Sequence, residues 1–237
     1  CKEYSQFPVI VKLTPNVTNI RVPARAAKKG GADAVSLINT INSVMSVDLD
    51  SLSINPTVDA MGTHGGYCGP AVKPIALHMV SDLGRDPECE GLPISAIGGI
   101  SNWRDAAEFL LLGAGNVQVC TAAMTHGFKI VDDMIDGLSR FMKEKGFASV
   151  SDLVGQAIPS LTDWQHLNLN YTVKAQIDQG LCIKCGRCHI VCEDTSHQAI
   201  HARHNGERRY EVNEEECVGC NLCVTVCPVE NCLTLRK

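Results

Sequence analysis

Nine of the thirteen cysteines in this 237-residue chain fall between Cys182 and Cys232. Eight of them form two runs of the same spacing: Cys182-x2-Cys185-x2-Cys188-x3-Cys192 and Cys217-x2-Cys220-x2-Cys223-x3-Cys227, the second followed by Pro228. Three thiolates at x2 spacing share one tight loop and fit one corner of an iron–sulfur cube, and the fourth cysteine of each run ligates the other cube. The spacing predicts one [4Fe-4S] cluster on Cys182, Cys185, Cys188 and Cys227, and a second on Cys217, Cys220, Cys223 and Cys192. Zinc is the competing metal, but two CxxC pairs complete a zinc tetrahedron and leave no use for a third cysteine at x2 in both runs. Glu193 rather than Pro follows Cys192, so packing near that ligand is expected to differ. Cys232 lies outside both runs and is expected to be a buried free thiol. With eight thiols filling both clusters, His189, His197, His201 and His204 are expected on the surface or in packing. Residues 201–209 (HARHNGERR) read as a hairpin about Asn205-Gly206.

The other chemistry-bearing residues lie in an Ala/Gly/Val-rich part that ends near residue 146. Apolar runs at Pro8–Leu13, Ala34–Ile38, Pro93–Ile97 and Asn116–Cys120 are bounded by Gly, Pro or Asn and read as short buried strands. Helical patterns follow at Ile20–Lys29, Pro70–Leu83, Asn102–Leu112 and Asp132–Lys145, with Gly30, Gly113 and Gly146 punctuating the first, third and fourth. Such alternation implies a parallel sheet, as an open doubly wound fold or a (β/α)8 barrel. Each strand delivers its unusual residues at its C-terminal end: Lys12, Asn39-Thr40, Gly98-Gly99 and Cys120-Thr121. That placement favours the catalytic face of a barrel, where phosphate is commonly held by the loops after the last two strands. Gly98-Gly99 reads equally as a tight turn or as backbone brought close to a phosphate that the Thr121 hydroxyl also meets. Four units are half a barrel and cannot close a core of their own. Roughly four further βα units are expected upstream.

Between the second and third strands, Thr63–Pro70 (THGGYCGP) places three glycines ahead of a proline that opens a helix, a loop whose backbone approaches something closely. In chain order stand VKLTPN (Val11–Asn16), INT (Ile38–Thr40), GGYCGPA (to Ala71), IGGI (Ile97–Ile100) and QVCTA (Gln118–Ala122). Over residues 8–145 this series resembles the second half of the FMN-dependent dihydroorotate and dihydropyrimidine dehydrogenase barrels. The resemblance implies that Lys12 sits at the flavin N1/C2=O edge, and that Gly69, Ile97, Gly98, Gly99, Cys120 and Thr121 contact FMN. It implies that Asn39 and Thr40 hydrogen-bond the substrate ring. Alone, Lys12 reads as a side chain snorkelling from a strand end and Asn39-Thr40 as a turn. Family members often carry Ser where Cys68 and Thr121 stand. The cysteine that donates a proton in the dihydropyrimidine branch lies upstream of the VKLTPN strand, so no catalytic acid is expected within this chain.

These readings divide the chain into a half-barrel (1–146), a connector (147–176) and a small α+β domain of bacterial 2[4Fe-4S] ferredoxin type (177–237). The connector is expected to hold a short helix at Val150–Gln156 and a Trp164 that anchors it. A barrel followed by a ferredoxin tail resembles the NAD-dependent dihydropyrimidine dehydrogenases, most closely the bacterial subunit that carries the pyrimidine site. The resemblance implies an oxidoreductase acting on a CH–CH bond, which reduces the 5,6 double bond of uracil or thymine by hydride from FMN. It also implies a hetero-oligomer in which a partner flavoprotein holds FAD and NADH and sends single electrons through the clusters. No GxGxxG fingerprint occurs, so NADH binding falls to the partner. Two alternatives stay open: a dihydroorotate dehydrogenase or other FMN ene-reductase with a fused ferredoxin, and an electron-transfer module alone. The composition is ordinarily globular, 45% hydrophobic and 20% charged, and 21 Lys+Arg against 26 Asp+Glu give a net charge of −5. Without clustered base, nucleic acid and anionic membrane are not expected partners. No apolar run approaches the ~18–20 residues of a membrane span, and clustered cysteine is expected in the reducing cytoplasm.

Overall fold

The computed structural model describes residues 1–237 apart from the Asn205 side chain, and the chain divides into two units, Cys1–Thr162 and Asp163–Lys237. In the first unit the elements run β1 (Ile10–Lys12), α1 (Arg21–Lys29), β2 (Ala34–Leu37), β3 (Ile41–Ser43), β4 (Ser46–Asp48), β5 (Ser53–Asn55), β6 (Gly65–Tyr67), α2 (Lys73–Gly84), β7 (Ile94–Ile97), α3 (Trp103–Leu111), β8 (Asn116–Gln118), α4 (Thr121–His126) and α5 (Ile130–Lys145). Strands β1, β2, β7 and β8 form one parallel sheet in that spatial order. Sheet order thus follows chain order, with no reversal, and β3 to β6 form an excursion between β2 and β7. A doubly wound sheet reverses at a switch point and none lies within these four strands, an order consistent with part of an α/β barrel.

Its core lies between sheet and helices. Val35, Leu37 and Ala96 from the strands meet Val80 and Phe109 from the helices, all fully buried. The β-branched and small residues of the strands leave room for the larger helix side chains, as close packing requires. The sequence placed α3 well because Asn102 caps it, accepting from the amides of Arg104 and Asp105 while Asp105 accepts back from the Asn102 amide. Helix α5 starts two residues earlier than its periodicity indicated and ends where Gly146 adopts the left-handed conformation.

The excursion between β2 and α2 is more structured than the expected glycine loop. Strand β3 pairs antiparallel with β6, and β4 with β5. The antiparallel β3–β6 pair brings Gly66 over Thr40, where a Cβ would lie 2.3 Å from the hydroxyl oxygen. Residues 147–162 belong to the first unit: Leu153 is fully buried, and the Gly155 and Ala157 amides donate to the carbonyls of Leu110 and Leu111. The helix expected over 150–156 is a single 3-10 turn, Val150–Asp152.

The second unit contains β9 (Lys174–Ile177), α6 (Arg187–Glu193), β10 (Ile200–Asn205), β11 (Glu207–Val212), α7 (Leu222–Val226) and β12 (Leu233–Arg236). Strand β9 pairs antiparallel with β12, and β10 with β11 through Gly206 at the tip of the expected hairpin. Trp164, expected to anchor the connector, is 74% exposed. Among the described residues no helix is long and apolar enough to cross a membrane.

Candidate functional site

Because the four strands are parallel, their C-terminal ends open onto one side of the sheet, and a cavity of 310 Å³ lies there. Its wall includes Lys12 from the end of β1, Asn39 and Thr40 after β2, Ile97, Gly98 and Gly99 after β7, and Cys120 and Thr121 at the start of α4. Gly69 and Cys68 join it from the loop before α2. Every residue singled out in the sequence for flavin or substrate meets at this cavity.

The wall carries one lysine and no arginine, aspartate or glutamate, so Lys12 faces the space without a carboxylate among the lining residues. An uncompensated cation in a cleft favours an anion or a group that develops negative charge. Opposite it, the loop of Gly98 (φ +143°) and Gly99 (φ +77°) runs hard against the loop of Gly69. A Cβ on Gly99 would stand 2.7 Å from the Gly69 carbonyl oxygen, and one on Gly98 2.6 Å from the Ala76 Cβ. Only glycine permits this approach in these conformations. The first turn of α4 leaves amides without intrahelical acceptors beside the same wall. Bare backbone, a hydroxyl at Thr121 and short helix ends are the donor set that a phosphate takes.

Several residues that fix this geometry escaped the sequence reading. The Asn16 side chain donates to the Thr40 carbonyl at 3.1 Å and accepts from the Asn42 amide at 2.9 Å, so it clamps the segment after β2 from both sides. The Asn39 carboxamide oxygen accepts from the Thr40 amide at 2.9 Å. Gln118 donates to the buried hydroxyls of Ser36 and Ser95, each at 2.8 Å, and knits β2, β7 and β8 beneath the cavity. Lys73 reaches Asp105 at 2.6 Å and Glu108 at 3.0 Å, which raises its pKa and ties the start of α2 to the cap of α3 beside Gly99. Apart from Asn39 and Thr40, these partners lie 23 to 82 positions apart in sequence, which periodicity cannot register. Cys68 is exposed and accepts from the Thr121 hydroxyl at 3.4 Å.

In the second unit the eight cysteines separate into two hollows. One is lined by Cys182, Cys185, Cys188 and Cys227. The other is lined by Cys217, Cys220, Cys223 and Cys192. The fourth cysteine of each run thus lies with the opposite three, the exchange that the spacing predicted. Helix α6 runs through Cys192 to Glu193, whereas α7 stops at Val226 and Cys227 is extended (φ −69°, ψ 121°). Pro228 excludes helical backbone from the residue before it, and Glu193 does not. The difference expected at Cys192 is this extra stretch of helix.

Burial pushes the Cys188 and Cys223 thiols up to about 11, and the thiols that share each hollow push the same way. Four thiolates gathered about one hollow repel one another unless cationic metal lies between them. The amides of His189 and Val224 act on Cys188 and Cys223 in the opposite sense, and the Ala175 amide donates to the Cys217 sulfur at 3.4 Å. Donors of this kind suit sulfurs that carry negative charge. Among the described residues no three His, Cys, Asp or Glu groups close around a single ion. The donor set in each hollow fits a sulfur-ligated cluster. His189 bonds the Ile200 carbonyl at 2.6 Å, and His201 reaches Glu216 at 3.1 Å. His197 lies on the wall of the second hollow.

A parallel sheet sector with its polar residues at the strand ends, joined to a domain of two cysteine hollows, defines an oxidoreductase class. The chain belongs to the dihydroorotate dehydrogenase family, whose profile matches residues 1–142, and it carries a 4Fe-4S dicluster domain at residues 175–235. It is 43% identical over 236 residues to the NAD-dependent dihydropyrimidine dehydrogenase subunit PreA of Escherichia coli (strain K12), a match that covers 100% of this chain and 57% of that protein. It is also 43% identical over 157 residues to the catalytic subunit of dihydroorotate dehydrogenase B (NAD(+)) of Pyrococcus abyssi (strain GE5 / Orsay), covering 66% of this chain and 50% of that protein. The chain therefore spans about half the length of the curated relatives it matches.

Proposed function

We propose that this chain is the pyrimidine-reducing part of a dihydropyrimidine dehydrogenase. In this reading residues 1–146 are the last four units of a closed FMN barrel, 177–237 carry two [4Fe-4S] clusters, and 147–176 lead from one to the other. The observation that carries the reading is the extent of the two likenesses. The match to the dihydropyrimidine dehydrogenase subunit includes both units, whereas that to the dihydroorotate dehydrogenase stops at two thirds of the chain.

FMN, when bound, supplies hydride to C6 of uracil or thymine. Lys12 offsets negative charge at the ring edge of the flavin site. Ile97, Gly98, Gly99, Cys120, Thr121 and Gly69 form the remaining wall, with backbone donors for the phosphate. Asn39 and Thr40, held in place by Asn16, present amide and hydroxyl groups to the C=O/N–H edge of the pyrimidine. Cys68 already accepts a hydrogen bond from Thr121, and the proton for C5 comes from a cysteine on a preceding barrel loop. NADH and FAD would be held by a partner subunit, and the clusters, when bound, would supply a one-electron path between separate nicotinamide and pyrimidine sites. The cytoplasm is the compartment in which clustered thiols stay reduced and open to metal.

The test uses the intact parent protein, purified without oxygen and photoreduced, with flavin absorbance followed after addition of uracil or orotate. Reoxidation by uracil alone supports the proposal. Reoxidation by orotate alone assigns a dihydroorotate dehydrogenase with a fused ferredoxin. Cluster absorbance without flavin leaves an electron-transfer module.

A further inference from the structure

Cys232 belongs to neither cysteine run, yet it lines the same hollow as Cys182, Cys185, Cys188 and Cys227. It is 3% exposed. The backbone fixes it there. The Asp178 amide donates to the Cys232 carbonyl at 2.8 Å, the Cys232 amide donates to the Val229 carbonyl at 3.3 Å, and Leu233 then pairs with Ile177 as β12 begins. The one carbonyl within reach of its thiol is that of Asp178, at 3.7 Å, a long contact even for sulfur. The side chains of Cys227 and Cys182 stand within hydrogen-bonding reach of its thiol. The second hollow is lined by four cysteines and no fifth. Its nearest counterpart is the Ala175 amide on Cys217.

We propose that Cys232 is a positioning residue of the first cluster, its S–H turned from the Asp178 carbonyl onto the sulfur of Cys182 or Cys227 and its bulk closing that side of the hollow. The inference rests on the assignment of a [4Fe-4S] cluster to these thiols. A ligand sulfur that carries cluster charge is a stronger acceptor than a distant carbonyl. The reduced cluster bears one more negative charge than the oxidised one, so a donor at its ligand favours reduction. Cys232 thereby makes the two clusters of one small domain unequal, with the first the easier to reduce than it would be without the fifth thiol.

The experiment is a potentiometric titration, read by electron paramagnetic resonance, of the full chain with both clusters loaded, for wild type, Cys232→Ala, Cys232→Val and Cys232→Ser. Cys232→Ala and Cys232→Val should each lower one midpoint potential and leave the other in place. The expected change is about three- to tenfold in the reduced-to-oxidised ratio at fixed potential, tenfold being about 59 mV for one electron. Cys232→Ser, whose hydroxyl still donates, should recover much of the shift, whereas a purely space-filling side chain would be replaced better by Val. Iron at about eight per chain in every variant shows that both clusters are retained. Unchanged midpoints with full iron would overturn the inference, as would a shift that Val repairs and Ser does not. Wild-type protein that binds no iron would remove the cluster assignment itself, and the inference with it.

Discussion

Replacing Gly99 by Ala tests whether the cavity wall is built on backbone contact. Gly99 has φ +77°, and its Cβ would lie 2.7 Å from the Gly69 carbonyl oxygen and 3.0 Å from the Lys73 Cβ. Neither neighbour yields easily. The Gly69 carbonyl accepts from the Val72 amide at 3.2 Å, and Lys73 is held at its far end by Asp105 and Glu108. Gly91 supplies the control, because it has φ +76° and open space where its Cβ would fall. Both substitutions incur left-handed strain of about 1–2 kcal/mol. Only Gly99→Ala adds overpacking, about 1–3 kcal/mol. At about 2–4 °C per kcal/mol for a unit of this size, Gly99→Ala should melt about 2–12 °C below Gly91→Ala. Near-ultraviolet circular dichroism reports on the unit concerned, since the Trp103 ring packs at 5.6 Å from Phe141. If FMN sits on this wall, Gly99→Ala should also retain flavin at least about tenfold more weakly, and Gly91→Ala should not. Equal melting temperatures for the two variants would show that the loops of Gly69 and Gly99 are free to part, and the argument for a preformed backbone wall would fail.

Three further outcomes are expected. Asp86 accepts two hydrogen bonds from Arg25, at 2.7 and 2.8 Å, and these above all hold its carboxyl at about 2, below the ordinary 3.8. A depressed folded-state value contributes stability that is complete above the ordinary range and lost as pH falls from about 4 to 2, here about 2 kcal/mol. Urea midpoints at pH 6 and pH 2.5 should show this loss in the wild type and not in Asp86→Asn. Cys192→Ala and Cys217→Ala should leave the same cluster behind, identical by electron paramagnetic resonance, although the two residues stand in different runs. Lys12→Met should slow pyrimidine-dependent flavin reoxidation about a hundredfold, the usual effect of removing one stabilising charge, with little change in melting temperature.

How far the sequence reaches depends on the distance over which each feature is decided. The two hollows were legible because ligand spacing is local and the exchange of fourth ligands follows from it. The strand ends were legible because apolar runs stop at Lys12, Asn39, Gly98 and Cys120, and parallel pairing carries those ends to one side. The antiparallel pairs within residues 41–67 were not. Their three-residue strands hold no buried residue and are too short for an alternating apolar pattern to show, so they read as loop. Trp164 misled for the opposite reason. A large aromatic ring reads as an anchor, yet it lies exposed, while Leu153, an unremarked residue, is buried in full. The supports of the cavity, Asn16, Lys73, Asp105 and Gln118, act through partners that only the tertiary fold brings near.

The exchange of Cys192 and Cys227 between hollows bears on how the domain is made. Neither hollow has its fourth thiol until both helices, α6 and α7, are in place, and the hairpin of β10 and β11 separates the two runs in the chain. During synthesis the first run emerges with three thiols that belong together and a fourth, Cys192, that is waiting for sequence not yet translated. Metal delivered to a nascent chain at that stage would meet three thiols of one hollow and one of the other. Each hollow therefore draws on both runs, and neither is complete before the second run has folded against the first.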